Sequence, residues 1–425
     1  MSIDLLDIMP GSSFPPLTPR VLLVGAYERD NYGDLLFLLV TERYLPDAHV
    51  VAAAPFRADM TALLDREIPA YGPLLERERF DVVWTVGGQV GAIDLPRAYR
   101  RYLRGSARRR AAILRRAVGG APVVSPYIPA PVDYPLNAGV VTVLNSAGLA
   151  GLRHADPEHR RHVVSVLRGQ TFVAVRDRAS SDFLARRGIA HRLVPDAVHA
   201  LGVLAPAERD RDSDVAIVQA SRSALHRLGH ATVAARLAAS PQLRGLKLRL
   251  LPAGTAPGHD SVADYEALAR QLRRAAPRAD VAILETRRPL ELVDHIRRAR
   301  VVIGTSLHVR IVASAYGVPR VTLAKRKPTE YARTWDSDMP FDVSLAGLDH
   351  AIEAAVARAG RPESAARSDE LARRAHEHLA GLADGVMTMA RTQTPADAAK
   401  RADARRRRRA RSERPSCRPA EPALA

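Results

Sequence analysis

A single cysteine in 425 residues, Cys417, leaves the chain without a disulfide framework or a cysteine-based metal site. Aromatic residues make up only 5% of the chain, too few to interleave with basic side chains as nucleic-acid surfaces do, so nucleic acid is not an expected partner. No apolar run reaches the roughly 18–20 residues of a membrane span. The opening MSIDLLDIMPGSSFPPLTPR lacks the basic start, apolar core and small-residue cleavage site of a secretory signal. A cytoplasmic location is therefore expected, with peripheral contact at the inner membrane face if the basic segments meet anionic lipid. Lysine is scarce as well: Lys247, Lys325, Lys327 and Lys400 stand against 60 arginines, and two of the four are close neighbours.

What is present points to a globular protein of more than one domain. The apolar fraction is 47% and the formal net charge +18, and a chain of this length exceeds what one ordinary core organises. Residues 391–425 hold 11 basic and 4 acidic residues and almost nothing to bury, which predicts a disordered basic tail. A second basic cluster, RAYRRYLRGSARRRAAILRRA at 97–117, carries nine arginines and no acid.

Elsewhere short β-rich apolar runs alternate with helical stretches, the pattern of parallel α/β sheets. In the first half the expected strands are 21–26, 49–54, 81–88, 121–127, 140–147, 172–177 and 191–198; in the second they are 215–220, 246–253, 280–285, 300–305 and 319–324. Helices are expected between them, among others at 35–45, 179–188 and 307–316. The polar, proline-bearing PAERDRDSD at 206–214 reads as a linker. The expected plan is an N-terminal extension (1–19), an α/β domain (20–205), a second (206–345), C-terminal helices (346–390) and the tail. Two doubly wound Rossmann-like domains would face each other across a cleft. Ligands in such sheets lie beyond the C-terminal strand ends, so the loops there should hold the chemistry.

Four loops stand out. GAYERDNYGD (25–34) ends a strand and opens a helix; Asp34 either caps that helix or, with Asn31 and Gly33, faces the cleft and orients or deprotonates a hydroxyl. Gly87 and Gly88 follow a strand and permit close approach of a ligand. Arg176 and Asp177 form either a surface ion pair or, through the planar guanidinium of Arg176, a site for a carboxylate or phosphate. Asp196 lies near the next strand end. The richest stretch is VVIGTSLHVRIVASAYGVPRVTLAKRKP (301–328). Thr305 or Ser306 caps a helix whose first turn holds His308, where an anionic ligand would restore the imidazolium that the helix end disfavours. Arg310, Lys325 and Lys327 lie nearby in sequence and favour an anion; the bland alternative is a capping histidine and solvated lysines.

Taken in order, Asn31-Tyr32-Gly33-Asp34, Gly87-Gly88, Arg176-Asp177 with Ser180, and Ser306-Leu307-His308 leading to Gly317-Val318-Pro319 resemble the polysaccharide pyruvyl transferases, from about residue 20 to 345. The resemblance implies a fold like that of GT-B glycosyltransferases, phosphoenolpyruvate as donor, and ketal formation on two hydroxyls of a saccharide, free or carried on a lipid or nucleotide. It also implies a donor-site role for His308 and an anion-holding role for Arg176. Gln89 stands where a third glycine is usual, Val309 where a glycine commonly follows the histidine, and Pro195-Asp196 reverses a familiar order. His308 and Asp34 are the expected catalytic residues. Asn31, Gly33, Gly87, Gly88, Arg176, Asp196, Ser306, Arg310, Lys325 and Lys327 are the expected binding residues. No metal or other cofactor is expected. The alternatives are a nucleotide-sugar glycosyltransferase of the same architecture and a family member that has lost activity.

Overall fold

A computed structural model describes residues 18–94, 98 and 125–413. The arginine cluster at 97–117 (Ala98 aside), the first four residues of the expected strand at 121–127, and Cys417 lie outside that set; residues 125–127 form no strand.

The first sheet contains β1 (Arg20–Val24), β2 (His49–Ala53), β3 (Val82–Val86), β4 (Val141–Ala147), β5 (Phe172–Val175) and β6 (Arg192–Leu193), all parallel in the order β2-β1-β3-β4-β5-β6. The second contains β7 (Val215–Val218), β8 (Lys247–Leu250), β9 (Val281–Ile283), β10 (Val301–Gly304) and β11 (Arg320–Thr322), parallel in the order β9-β8-β7-β10-β11. Their Val/Ile/Leu-rich sequences suit strands covered on both faces, and β3 and β10 are buried along their whole length. The expected linker, 206–214, carries no helix or strand.

Seven helices position the site and close the fold: α1 (Tyr32–Glu42), α2 (Arg178–Ala185), α3 (Leu307–Ala315), α4 (Arg326–Trp335), α5 (Leu348–Ala359), α6 (Pro362–Thr392) and α7 (Pro395–Glu413). Helix α1 starts three residues before its expected beginning. Asn31 is its N-cap, so Asp34 sits inside the first turn rather than at the cap, beside amides that lack helical partners. It is buried from Tyr32 to Leu38 because it packs on α3 and on the helix Pro289–Arg297 of the second sheet.

Helix α6 then carries the chain back to the first sheet. His378 Nε2 meets Asn145 Oδ1 at 2.9 Å, and His376 Nδ1 meets Tyr44 Oη at 2.8 Å. Leu35 and Phe37 of α1, Val309 and Ile311 of α3, and Leu371 and Leu379 of α6 belong to one apolar cluster. The core therefore runs through the junction between the sheets and fixes the walls of the cleft. No helix among the described residues is long and apolar enough to cross a membrane.

The tail departs from expectation: residues 395–413 are helical, not disordered. Arg401, Arg405 and Arg409 recur at the four-residue spacing of one helix face. Arg401 Nε donates to Gly139 O (2.9 Å). Arg405 donates to Gly169 O (3.0 Å), Ala138 O (2.8 Å) and Thr142 Oγ1 (2.8 Å), and Arg409 pairs with Asp133. Composition hides this docking because the buried stripe is made of arginine stems and forks rather than apolar side chains.

Candidate functional site

A cleft of about 520 Å³ opens between the C-terminal edges of the two sheets. Asn31, Asp34, Gly87, Gly88, Arg176, Ser306, His308, Lys325 and Lys327, all expected from sequence, line it together. Its lining carries five lysine or arginine side chains (Arg29, Arg176, Lys325, Arg326, Lys327) against two carboxylates, Asp34 and Asp260. A net positive basin of this kind concentrates anions.

His308 stands at the centre. Ser306 Oγ accepts from Val309 N at 3.5 Å and opens α3, which places His308 in the first turn above β10. Its ring packs edge-on against Phe37, centroids 5.1 Å apart. Arg176 Nη1 lies 3.3 Å from His308 Nε2. A guanidinium has only donors, so Nε2 is the acceptor and the neutral imidazole carries its proton on Nδ1. Burial, then the charges of Arg176, Lys327 and His259, hold the imidazole well below its ordinary value, which favours its neutral form.

Gly33 does not line the cleft but makes room for His308: a Cβ there would fall 1.6 Å from His308 Nδ1. Gly87 makes room for the next ring below. It turns at φ +61°, and a Cβ would lie 2.1 Å from the Phe37 ring.

Arg176 is fixed from behind. Its Nη1 donates to Asp196 Oδ2 at 2.7 Å, its carbonyl accepts from Trp335 Nε1 at 2.7 Å, and its guanidinium lies over the Phe37 ring at 5.5 Å. Asp196 is fully buried and lies 3.8 Å from His308 Nε2. Ser146, in the left-handed region at φ 53°, bends β4 and aims its Oγ at Ala197 N (3.1 Å), which seats the Asp196 turn. Asp196, expected to touch ligand, therefore holds Arg176 instead and is screened from the cleft.

Arg310 is a second correction. Its guanidinium points away from the cleft to Thr322 Oγ1, to the carbonyls of Pro340, Asp336 and Met339, and to the Asp336 carboxylate at 2.7 Å. Arg310 lies two residues past His308, about 200° around the helix, so it faces the second sheet's core rather than the cleft. Val309 is also turned into the core, 1% exposed, so it does not narrow the cleft; Gln89 does line it.

Lys325 is the N-cap residue of α4 and Lys327 lies in its first turn. Lys325 Nζ donates to Ser221 Oγ at 2.6 Å. Burial, reinforced by Arg176, brings the Lys327 ammonium down to about 8. On the opposite wall Asp34 Oδ2 accepts from Asn31 Nδ2 at 2.5 Å and lies 3.4 Å from Arg29 Nη2.

Sequence reasoning did not mark Arg29, Tyr127, Gln219, Ser221, His259 or Asp260, which also line the cleft. Asp260 accepts from Gln219 Nε2 (3.0 Å), Ala253 N (2.9 Å) and Tyr265 Oη (3.0 Å), and burial raises its carboxyl to about 6. The signal available was the end of β7, VAIVQAS, where polar residues follow a buried strand. Helix α4 was hidden by Pro328, which is tolerated in a first turn. Among the described residues no group of metal-ligating side chains gathers in the cleft; the one such group, His226, His230 and Asp264, lies outside its lining.

The family model for polysaccharide pyruvyl transferase matches residues 31–324. Among curated proteins none matches the chain. In solved structures, the UDP-GlcNAc 2-epimerase of Methanocaldococcus jannaschii shares 12% identity, with 85% of this chain and 99% of that one covered and a TM-score of 0.51. The UDP-GlcNAc 2-epimerase of Neisseria meningitidis bound to UDP-GlcNAc also shares 12%, covering 87% and 99% at a TM-score of 0.46. A mutant O-GlcNAc transferase of Thermobaculum terrenum shares 16%, covering 94% and 70% at 0.39. At 12% identity the likeness to the Methanocaldococcus jannaschii enzyme is one of fold alone: two Rossmann-like domains in the GT-B arrangement.

Proposed function

Because the chain belongs to the polysaccharide pyruvyl transferase family, we propose that it transfers the pyruvyl group of phosphoenolpyruvate to two hydroxyls of a saccharide, forming a cyclic ketal and releasing phosphate. The observation that carries this reading is a buried, neutral histidine hydrogen-bonded to a clamped arginine in a cleft with an excess of cations.

The donor is a small polyanion, and Arg176, Lys325 and Lys327 are the groups that hold its carboxylate and phosphate. Its arrival reverses the electrostatics at His308: negative charge beside the ring raises its proton affinity, and the imidazole becomes an imidazolium. That proton goes to the methylene carbon, and C2 becomes electrophilic. The first saccharide hydroxyl adds to C2 and gives up its proton. The C2–O bond to phosphate then breaks, and the second hydroxyl closes the ketal, also losing a proton. Two hydroxyl protons leave and one methylene proton is gained, so one proton departs with the phosphate. His308 handles the methylene proton, and Asp34, on the facing wall, receives a hydroxyl proton. The acceptor enters along Asn31, Asp34 and Gly88, carried on a lipid or nucleotide in the assembly of a cell-surface polysaccharide.

Phosphoenolpyruvate labelled in its pyruvyl carbons, incubated with a panel of acceptor glycans, checks the reading: label should enter a glycan with one phosphate released per ketal. Thermal stabilisation by UDP- or GDP-sugars with none by phosphoenolpyruvate would overturn it in favour of glycosyl transfer.

A further inference from the structure

The stretch HRLGH at 226–230 places two histidines four residues apart. His226 lies near the end of the helix Arg222–Leu228 and His230 begins the next, His230–Ala239. Gly229 separates them at φ +83°, a backbone setting that L side chains rarely adopt. Both imidazoles converge on one carboxylate oxygen: His226 Nε2 is 2.9 Å and His230 Nε2 3.0 Å from Asp264 Oδ1. Asp264 sits in the first turn of the helix Val262–Ala275.

We propose that His226, His230 and Asp264 form a divalent transition-metal site, with zinc as the fitting ion, that staples the donor-side wall of the cleft. The three donor atoms lie within 4.8 Å of one another, a span that ligands about 2.0–2.2 Å from a common ion can occupy after small rotations. Two imidazoles and one carboxylate suit zinc, whereas magnesium and calcium prefer all-oxygen sets. A fourth position remains for water. Arg222 Nε, 3.8 Å from Asp264 Oδ2, faces the oxygen the ion does not use and is the outer partner that orients the carboxylate. His226 is half-exposed, which gives the ion a path from solvent.

Two of the three helices that carry the ligands, Arg222–Leu228 and Val262–Ala275, begin beside the cleft. Ser221, the N-cap residue of Arg222–Leu228, bonds Lys325 Nζ, and Ser223 lines the cleft. Asp260 precedes Ser261, whose Oγ accepts from Asp264 N at 3.3 Å. Arg222 N also donates to His259 O at 3.1 Å. An ion joining His226 and His230 to Asp264 thus ties the start of the helix Arg222–Leu228 to the 259–261 loop, both of which reach the cleft. The site is outside the catalytic constellation, and its test does not depend on the reaction proposed above.

Untagged full-length protein, stripped with a chelator and dialysed, is titrated with zinc by calorimetry, with cobalt uptake followed by visible absorption. The expected result is one saturable zinc per chain, a tetrahedral cobalt spectrum, and a raised melting temperature in excess zinc. The His226→Ala/His230→Ala variant should lose all three while melting like the metal-free wild type. Asp264→Asn should bind zinc at least roughly tenfold more weakly, the smallest loss expected even for an outer partner. Absence of saturable binding to the wild type, or equally tight binding by the double variant, would overturn the proposal.

Discussion

Replacing Gly33 by alanine adds one methyl group to the first turn of α1 and should abolish most turnover while sparing the fold. The new Cβ would fall 1.6 Å from His308 Nδ1 and 2.3 Å from its Cε1 and Cγ. Ordinary contacts need about 3.5–4.0 Å, so the ring has to retreat by roughly 2 Å. Phe37 stands edge-on at 5.1 Å and Arg176 is held at 3.3 Å, which leaves the retreat no clear direction within the site. Overpacking costs about 1–3 kcal/mol, and alanine recovers up to about 1 kcal/mol over glycine in a helix, for a net loss of about 0–3 kcal/mol. A misplacement of about 1 Å in a reacting group is enough for about 100-fold in rate. Phosphate release from phosphoenolpyruvate, measured beside a thermal melt, reads both quantities. Wild-type turnover in Gly33→Ala would refute the placement of His308 against α1 as the seat of the chemistry.

Three other perturbations separate the roles of neighbouring groups. Arg176→Ala strands the fully buried Asp196 carboxylate and should cost about 3–5 kcal/mol in denaturant unfolding; adding Asp196→Asn should return much of that stability but none of the phosphoenolpyruvate affinity, and recovery of affinity would show that Arg176 does not hold the donor. Lys327 is a cation below its value of about 8 and neutral above it, so the donor KM should rise as pH increases through 8. A Lys327→Gln variant should show a high KM that stays flat across that range, and an unchanged wild-type profile in the variant would remove Lys327 from the donor site. Gly139→Ala would push a Cβ to 2.2 Å from Ala398 O and undock α7. The loss of the Arg405 bonds should lower stability by about 2–4 kcal/mol, matching truncation after residue 394. Melting identical to the wild type in both proteins would mean the tail contributes nothing.

Much of this architecture is legible in the chain because buried parallel strands are written as continuous apolar runs: VLLVG, VVWTV and VVIGT each begin or nearly begin a strand in the structure. The cleft residues at strand ends, from Asn31 to His308, were legible for the same reason, since the loops follow the strands. Arg310 and Asp196 were misassigned because sequence spacing does not say which way a guanidinium turns or which carboxylate lies behind another. The tail and α4 were lost for different reasons. In α7 the inward stripe is arginine, which hydropathy reads as solvent-facing, and in α4 a proline at the third helical position looks like a break. Gly33 was expected to touch ligand but instead makes room for His308, and that neighbour was not foreseeable because residues 33 and 308 meet only when the two sheets are docked.

The decisive measurement is pyruvyl transfer by His308→Ala at saturating phosphoenolpyruvate, with donor affinity measured on the same protein. If His308 carries the methylene proton, kcat falls by about 10²–10⁴-fold while donor affinity, still held by Arg176, Lys325 and Lys327, changes by less than about tenfold. Turnover equal to the wild type would contradict a catalytic role for His308, and with it the chemistry assigned to the cleft.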